Sequence, residues 1–182
     1  MHVADTVRMA LLHFQPELLR QCHAQLRSML KVPQGSMTTC AVVGVHCRRG
    51  DYVRPDKMAY GHVPADADYV QRAMHYHRKR ILSHNIASCV RFLVAGSDAH
   101  WNMANFAHLP DVHFISGISD GVDLCILAQC NHSIVTTGTF SWMSGFLANG
   151  HVTYQRRFVR PNSYLQCHFD GVNYTPASWV AL

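Results

Sequence analysis

The sequence contains no Gly-x-Gly-x-x-Gly and no Gly-x4-Gly-Lys-Ser/Thr. The first absence excludes the usual dinucleotide loop, and the second excludes a Walker-type phosphate loop. Charge is sparse as well: Asp, Glu, Lys and Arg make up 15% of 182 residues, with 16 basic side chains against 11 acidic ones. No run of five or more Lys/Arg occurs and no basic helix alternates with aromatics, so nucleic acid is not an expected partner. No apolar run reaches the roughly 18 to 20 residues that span a bilayer. The opening Met1-His2-Val3-Ala4-Asp5 does not resemble a signal peptide.

Cysteine gives no framework either. The seven thiols at positions 22, 40, 47, 89, 125, 130 and 167 are odd in number and irregularly spaced. Cys40, Cys47, Cys89, Cys125 and Cys130 lie in apolar segments and read as buried small hydrophobes. Fourteen histidines are scattered along the chain. The nearest approach to a metal site, Cys125-x4-Cys130-x-His132, matches no common zinc spacing, so no metal is expected. Two N-glycosylation patterns, Asn131-His132-Ser133 and Asn173-Tyr174-Thr175, point to a secretory compartment.

What remains is a folded domain with 48% hydrophobic residues and a formal charge of +5, a balance that suits an anionic ligand. Pro16 opens a helical lead-in, over about residues 14–35, with Leu18, Cys22, Leu26 and Met29 on one face; Pro33 and Gly35 close it. Cys40–His46 then reads as a strand apolar on both faces, as in the middle of a parallel sheet. A polar loop follows with Pro55, Gly61 and Pro64. A helix is expected from about Asp66 to Ser83, with Tyr69, Val70, Ala73, Met74, His77 and Ile81 inward.

The alternation continues. Strands are expected at 90–95, 112–115, 133–136 and 151–154. Helices are expected from the Ser97 or Asp98 cap to Phe106, from Asp120 to Cys130 with Leu124, Leu127 and Ala128 inward, and from Thr139 to Ala148. This is an α/β fold, a Rossmann-like doubly wound and mostly parallel sheet, in one domain over residues 1–182.

Ligands of such sheets bind beyond the carboxyl ends of the strands. That rule selects His46 to Asp51, Ser97-Asp98 and Thr137 to Ser141. The last two groups lead into helix N-termini, where free N–H groups favour anions, so a phosphate compound is the expected ligand. Arg48 and Arg49 offer planar forks matched to phosphate, although they also read as ordinary surface charges. Arg49-Gly50-Asp51 is a cell-adhesion tripeptide, but here it extends a core strand and is not a loop tip.

His46-Cys-Arg-Arg-Gly-Asp-Tyr-Val53 resembles the first motif of the α-1,2- and α-1,6-fucosyltransferases, usually His-Val-Arg-Arg-Gly/Thr-Asp. The run from Asp123 to Phe140 is similar to the galactoside α-1,2 members, glycosyltransferase family 11. It shares with them Leu-x-Gln-Cys-Asn-His and the Gly-Thr-Phe that opens the next helix. The similarity extends over residues from about 14 to 180.

The resemblance implies the C-terminal, donor-binding lobe of a GT-B glycosyltransferase, with GDP-fucose as donor and a galactose-terminated glycan as acceptor. It implies Arg48 on the diphosphate and His46 and Asp123 on guanine, with Thr139, Phe140 and Ser141 near the phosphate. Arg49, Ser97 and Asp98 complete the donor-binding set. Asp123 also reads as a first-turn residue favoured by the helix dipole, and Thr139 and Ser141 as N-caps. The implied reaction is an inverting transfer of L-fucose to a 2-hydroxyl, with Arg48 stabilising the departing diphosphate in place of a metal. Asp51 is either the base for the acceptor hydroxyl or a brace for Arg48 or Arg49.

Members of that family carry a transmembrane anchor and an N-terminal lobe, and they work in the Golgi membrane with the catalytic part in the lumen. Both parts are expected to lie outside this sequence, so membrane contact would come only through that anchor. Two further readings stay open: a GDP-sugar-binding module that no longer transfers, and a fucosyltransferase with a different glycan acceptor.

Overall fold

The computed structural model describes residues 13–31, 40–115, 117–169 and 174–182. Pro33, Gly35 and Asn173 lie outside them, as do the first residues of the chain. The lead-in helix α1 (Pro16–Leu30) starts with proline at its first position, where a missing N–H costs nothing. The strands are β1 (Cys40–Cys47), β2 (Cys89–Gly96), β3 (Val112–Phe114), β4 (His132–Val135), β5 (Val152–Tyr154) and β6 (Val180–Ala181). All neighbours pair in parallel, in the order β3-β2-β1-β4-β5-β6. The five expected strands are present. The sixth, two residues long, is too short to leave a pattern in the sequence.

Helices join the strands. α2 (Pro55–Tyr60) and α3 (Ala67–Ser83) follow β1, and α4 (Ala99–Phe106) follows β2. α5 (Asp120–Ala128) follows β3, α6 (Thr139–Ala148) follows β4, and α7 (Tyr164–Cys167) follows β5. The segment expected as a polar loop thus holds α2 and, before it, a single 3₁₀ turn at Gly50–Val53. Pro55 sets the first helical φ there, and Gly61 ends the helix after six residues.

Alternation along the strands divides the core into two layers. Val43, Val45, Phe92 and Val94 face one side, against Tyr69, Val70, Ala73, Met74 and Ile81 of α3. Val42 and Leu93 face the other, against Cys22 of α1 and Val122, Cys125 and Ile126 of α5. Each fully buried aliphatic side chain contributes about 1.5–3 kcal/mol, so the two layers carry most of the stability. The inward face of α3 is the one its spacing predicts. For α5 the expectation is corrected. Its buried residues are Val122, Cys125, Ile126 and Leu127, while Leu124 and Ala128 are half-buried. The helix is apolar on nearly every side, so periodicity cannot choose its face.

Cysteine also needs correction. Cys40 and Cys89 form a disulfide, with Cα atoms 4.4 Å apart. They stand directly opposite each other at the first rung of the β1–β2 ladder, a register that no local pattern reveals. Cys22, Cys47, Cys125 and Cys130 are buried free thiols. No helix among the described residues is long and apolar enough to cross a membrane.

Candidate functional site

The strand order reverses direction between β1 and β4, and crevices form at such switch points. A cavity of about 230 Å³ opens there. Its walls come from His46 and Arg48 after β1, Ala95, Gly96 and Ser97 after β2, Asp120 and Asp123 of α5, and Phe140 of α6, with Gly117 beside them. Gly96 is required by close approach, because a Cβ there would lie 2.3 Å from the Cys47 carbonyl oxygen. Any other residue would push the ends of β1 and β2 apart.

His46 is the most enclosed polar wall residue, 6% exposed, with Nδ1 lacking any partner. Its ring packs against Phe140 at 4.7 Å, and burial, helped by the Arg48 charge, pushes its pKa down to about 3. The imidazole is therefore neutral at ordinary pH and has hydrogen-bonding capacity to spare. Asp123 is the matching feature across the cavity. Its Oδ1 is buried and unpartnered, and burial, with Asp120 adding repulsion, raises its pKa. Unsatisfied buried polar atoms are costly in an empty interior and ordinary in a binding site.

Arg48 stands on the cationic side. Its Nη2 meets Asp51 Oδ1 at 2.6 Å, and its guanidinium lies 4.8 Å from the centre of the Tyr52 ring. Its backbone N–H donates to Thr136 Oγ1, whose own hydroxyl donates to the His46 carbonyl. The end of β1 is thus sewn to the end of β4. Gly138, at φ +91°, turns the chain into α6 with no side-chain cap, which leaves the helix's opening N–H groups available. A Cβ on Gly138 would sit 3.7 Å from Arg48 Cγ, so this bare terminus and the arginine are neighbours. Together they form a place for an anion.

The sequence-derived candidates divide accordingly. His46, Arg48, Ser97, Asp123 and Phe140 line the cavity. Thr139 is exposed at the first position of α6. Ser141 is fully buried, and its Oγ accepts from Thr136 N–H at 2.8 Å, so its side chain holds the loop from behind. Asp51 reaches the site through Arg48.

Arg49 and Asp98 are not among the lining residues. Arg49 donates to Asp98 at 3.4 Å and to the Ala65 carbonyl at 2.9 Å, and lies over Trp101 at 4.3 Å. Asp98 caps α4 by accepting from Trp101 N–H. Gly96, Gly117 and Asp120 escaped the sequence reading. Gly96 carries a legible signal, as the last residue of β2 just before Ser97. Among the described residues, no cluster of three His, Cys, Asp or Glu is placed to hold a metal ion.

A parallel sheet in this order, with a polar cavity at its switch point, defines a Rossmann-like, doubly wound nucleotide-binding type of fold. Two solved structures share the fold. POFUT1 in complex with GDP gives a TM-score of 0.52 at 13% identity, covering 84% of this chain and 49% of its own. A glycosyl transferase family 9 protein from Veillonella parvula gives 0.51 at 12%, covering 94% and 41%.

Sequence narrows the class further: the profile of glycosyl transferase family 11 matches residues 8–181, and the chain belongs to that family. Galactoside alpha-(1,2)-fucosyltransferase 1 of Bos taurus is 34% identical over all of this chain and 49% of its own length. Galactoside 2-alpha-L-fucosyltransferase Sec1 of Mus musculus is 31% identical over 93% of this chain and 48% of its own. The chain spans about half the length of the curated relatives it matches.

Proposed function

We propose that this lobe binds GDP-fucose and serves an enzyme that transfers L-fucose, with inversion, to the 2-hydroxyl of a terminal galactoside. The relatives' names supply the reaction class, and the cavity supplies the donor chemistry. One observation carries the reading. An orphan carboxylate oxygen of Asp123 and the orphan Nδ1 of neutral His46 share one cavity with Arg48. Guanine presents N1–H and the N2 amino group on one edge, and a carboxylate accepts from both at once. The diphosphate then lies toward Arg48 and the uncapped start of α6.

Charge gathers on the diphosphate as the fucosyl bond breaks. A guanidinium and free N–H groups fixed beside that charge lower the barrier without reorganising. Asp51 is held by Arg48 at 2.6 Å, so its role is to aim the guanidinium. No metal is assigned. The Cys40–Cys89 disulfide favours an oxidising compartment, in keeping with a Golgi-lumenal enzyme.

Isothermal calorimetry tests the donor reading. GDP should bind more tightly than ADP, whose adenine lacks the paired donors. Asp123→Asn should weaken GDP by about 1–3 kcal/mol, because its amide group turns a donor toward guanine's own donors. Equal affinity for GDP and ADP in the unaltered chain would sink the assignment.

A further inference from the structure

A second and larger cavity, about 500 Å³, opens along the carboxyl edge of the sheet. Its size lies within the roughly 300–1,000 Å³ of small-molecule sites. Asp66, Tyr69 and Arg72 line it from the start of α3, and Gln155, Arg156 and Arg157 from the segment after β5. It is joined to the first site through the backbone, since Ala65 N–H donates to the Arg48 carbonyl at 2.8 Å just before α3 begins.

Arginine predominates among the charged side chains that line this cavity. Arg72, Arg156 and Arg157 make no side-chain hydrogen bond or ion pair among the described residues. The carboxylate that faces them, Asp66, is engaged as the cap of α3, accepting from Asp68 N–H at 3.0 Å. The positive end of this 17-residue helix also points at the cavity.

Gln155 supplies an independent demand. It is 4% exposed, and its Nε2 donates to the Pro64 and Arg157 carbonyls, each at 3.3 Å. Those two acceptors fix which way the amide points, and Oε1 is left buried with no partner. An unpartnered acceptor on a residue that lines an arginine-rich cavity calls for a ligand that brings both an anion and a hydroxyl donor. A flat protein surface would meet the exposed arginines without reaching that oxygen.

We propose that this cavity binds an acidic saccharide, a sugar bearing a carboxylate. Arg72, Arg156 and Arg157 hold the carboxylate, and a ring hydroxyl donates to Gln155 Oε1. Resting on the glycosyltransferase reading above, the site is an acceptor-side subsite that favours glycans with a negative charge near the residue to be modified.

Three probes separate the requirements: D-galacturonate carries both features, D-galactose only the hydroxyls and acetate only the anion. NMR titration of the labelled chain should show galacturonate binding about tenfold more tightly than either partial probe, the scale of one charge-assisted hydrogen bond. The Gln155 side-chain amide should move with it. Arg156→Gln with Arg157→Gln, both exposed and free of packing roles, should lower galacturonate affinity about tenfold and leave GDP affinity within twofold.

Galactose or acetate binding as well as galacturonate overturns the proposal, and so does a double variant that binds galacturonate unchanged. Absence of any galacturonate response while GDP still binds removes this site and leaves the donor reading intact. Galacturonate binding without GDP binding supports the site and removes the donor reading.

Discussion

Arg48 and Asp51 are locked together, Nη2 to Oδ1 at 2.6 Å, at the mouth of the cavity where β1 ends. Its neighbour Arg49 is turned the other way, onto Asp98, Ala65 and Trp101. Two adjacent arginines therefore divide the work, one facing ligand and the other holding the end of β1 to α4. Arg48→Lys should weaken GDP by about 1–3 kcal/mol, since an ammonium cannot reproduce the planar fork. Arg49→Lys should leave GDP affinity unchanged while lowering the unfolding midpoint. Calorimetry and thermal unfolding on the two variants distinguish them, and a reversed pattern would show that the roles have been exchanged.

The Cys40–Cys89 bridge closes a sequence separation of 49 residues. Restricting the unfolded chain over such a loop is worth about 4 kcal/mol on the chain-entropy account. Cys40→Ser with Cys89→Ser should lower the unfolding free energy by roughly that amount while GDP affinity holds, because neither residue lines the cavity. Urea titrations of the paired variants measure it. An unchanged midpoint under non-reducing conditions would mean that the two thiols are not bridged.

The alternation of strands and helices was legible because β1 is buried on both faces, and α3 repeats Tyr69, Val70, Ala73, Met74 and Ile81 at helical spacing. His46, Arg48 and Asp123 were legible for a different reason, as they stand at motif positions and at strand or helix ends. The disulfide was not legible, because it depends on the register between two strands 49 residues apart. Arg49 misled for a similar reason. Sequence gives the end of a strand but not the direction in which each side chain leaves it, and Trp101 and Asp98 settle that only once α4 has packed. The second cavity lay beyond reach altogether, since Arg72 and Arg156 come to line one space only once the chain has folded.

Buried histidines set the pH dependence. Burial pushes His77 down to about 3, with His151, His132 and Arg80 adding repulsion, and His46 falls to about 3 as well. The native state keeps both rings neutral, whereas the unfolded chain protonates near 6.5. Below that value the unfolded state binds more protons, so stability is full above pH 6.5 and is lost as pH falls toward 3. Each of the two rings should contribute a slope of about 1.4 kcal/mol per pH unit across that window. Urea unfolding at pH 7.5, 6.0 and 5.0 reads it directly. Histidine proton resonances that titrate normally near 6.5 at positions 46 and 77 would contradict the burial argument.

Metal dependence provides the sharpest test of the donor chemistry. A diphosphate needs positive charge around it, supplied either by a divalent ion held between carboxylates or by the protein itself. In this lobe the phosphate side of the cavity presents the Arg48 guanidinium and the uncapped N-terminus of α6, with Gly138 bringing the two close together. The carboxylates of the lining, Asp120 and Asp123, belong to α5, and Asp123 is the residue proposed to meet the base. Chelation should therefore leave GDP affinity unchanged within about twofold, since the protein's own cationic groups carry the charge compensation. Raising the salt concentration should weaken GDP instead, because those contacts are partly exposed and screenable. The measurement is a GDP titration with and without EDTA, repeated at low and high sodium chloride. A loss of affinity on chelation, restored by adding Mg²⁺ or Mn²⁺, would transfer the role from Arg48 to a metal.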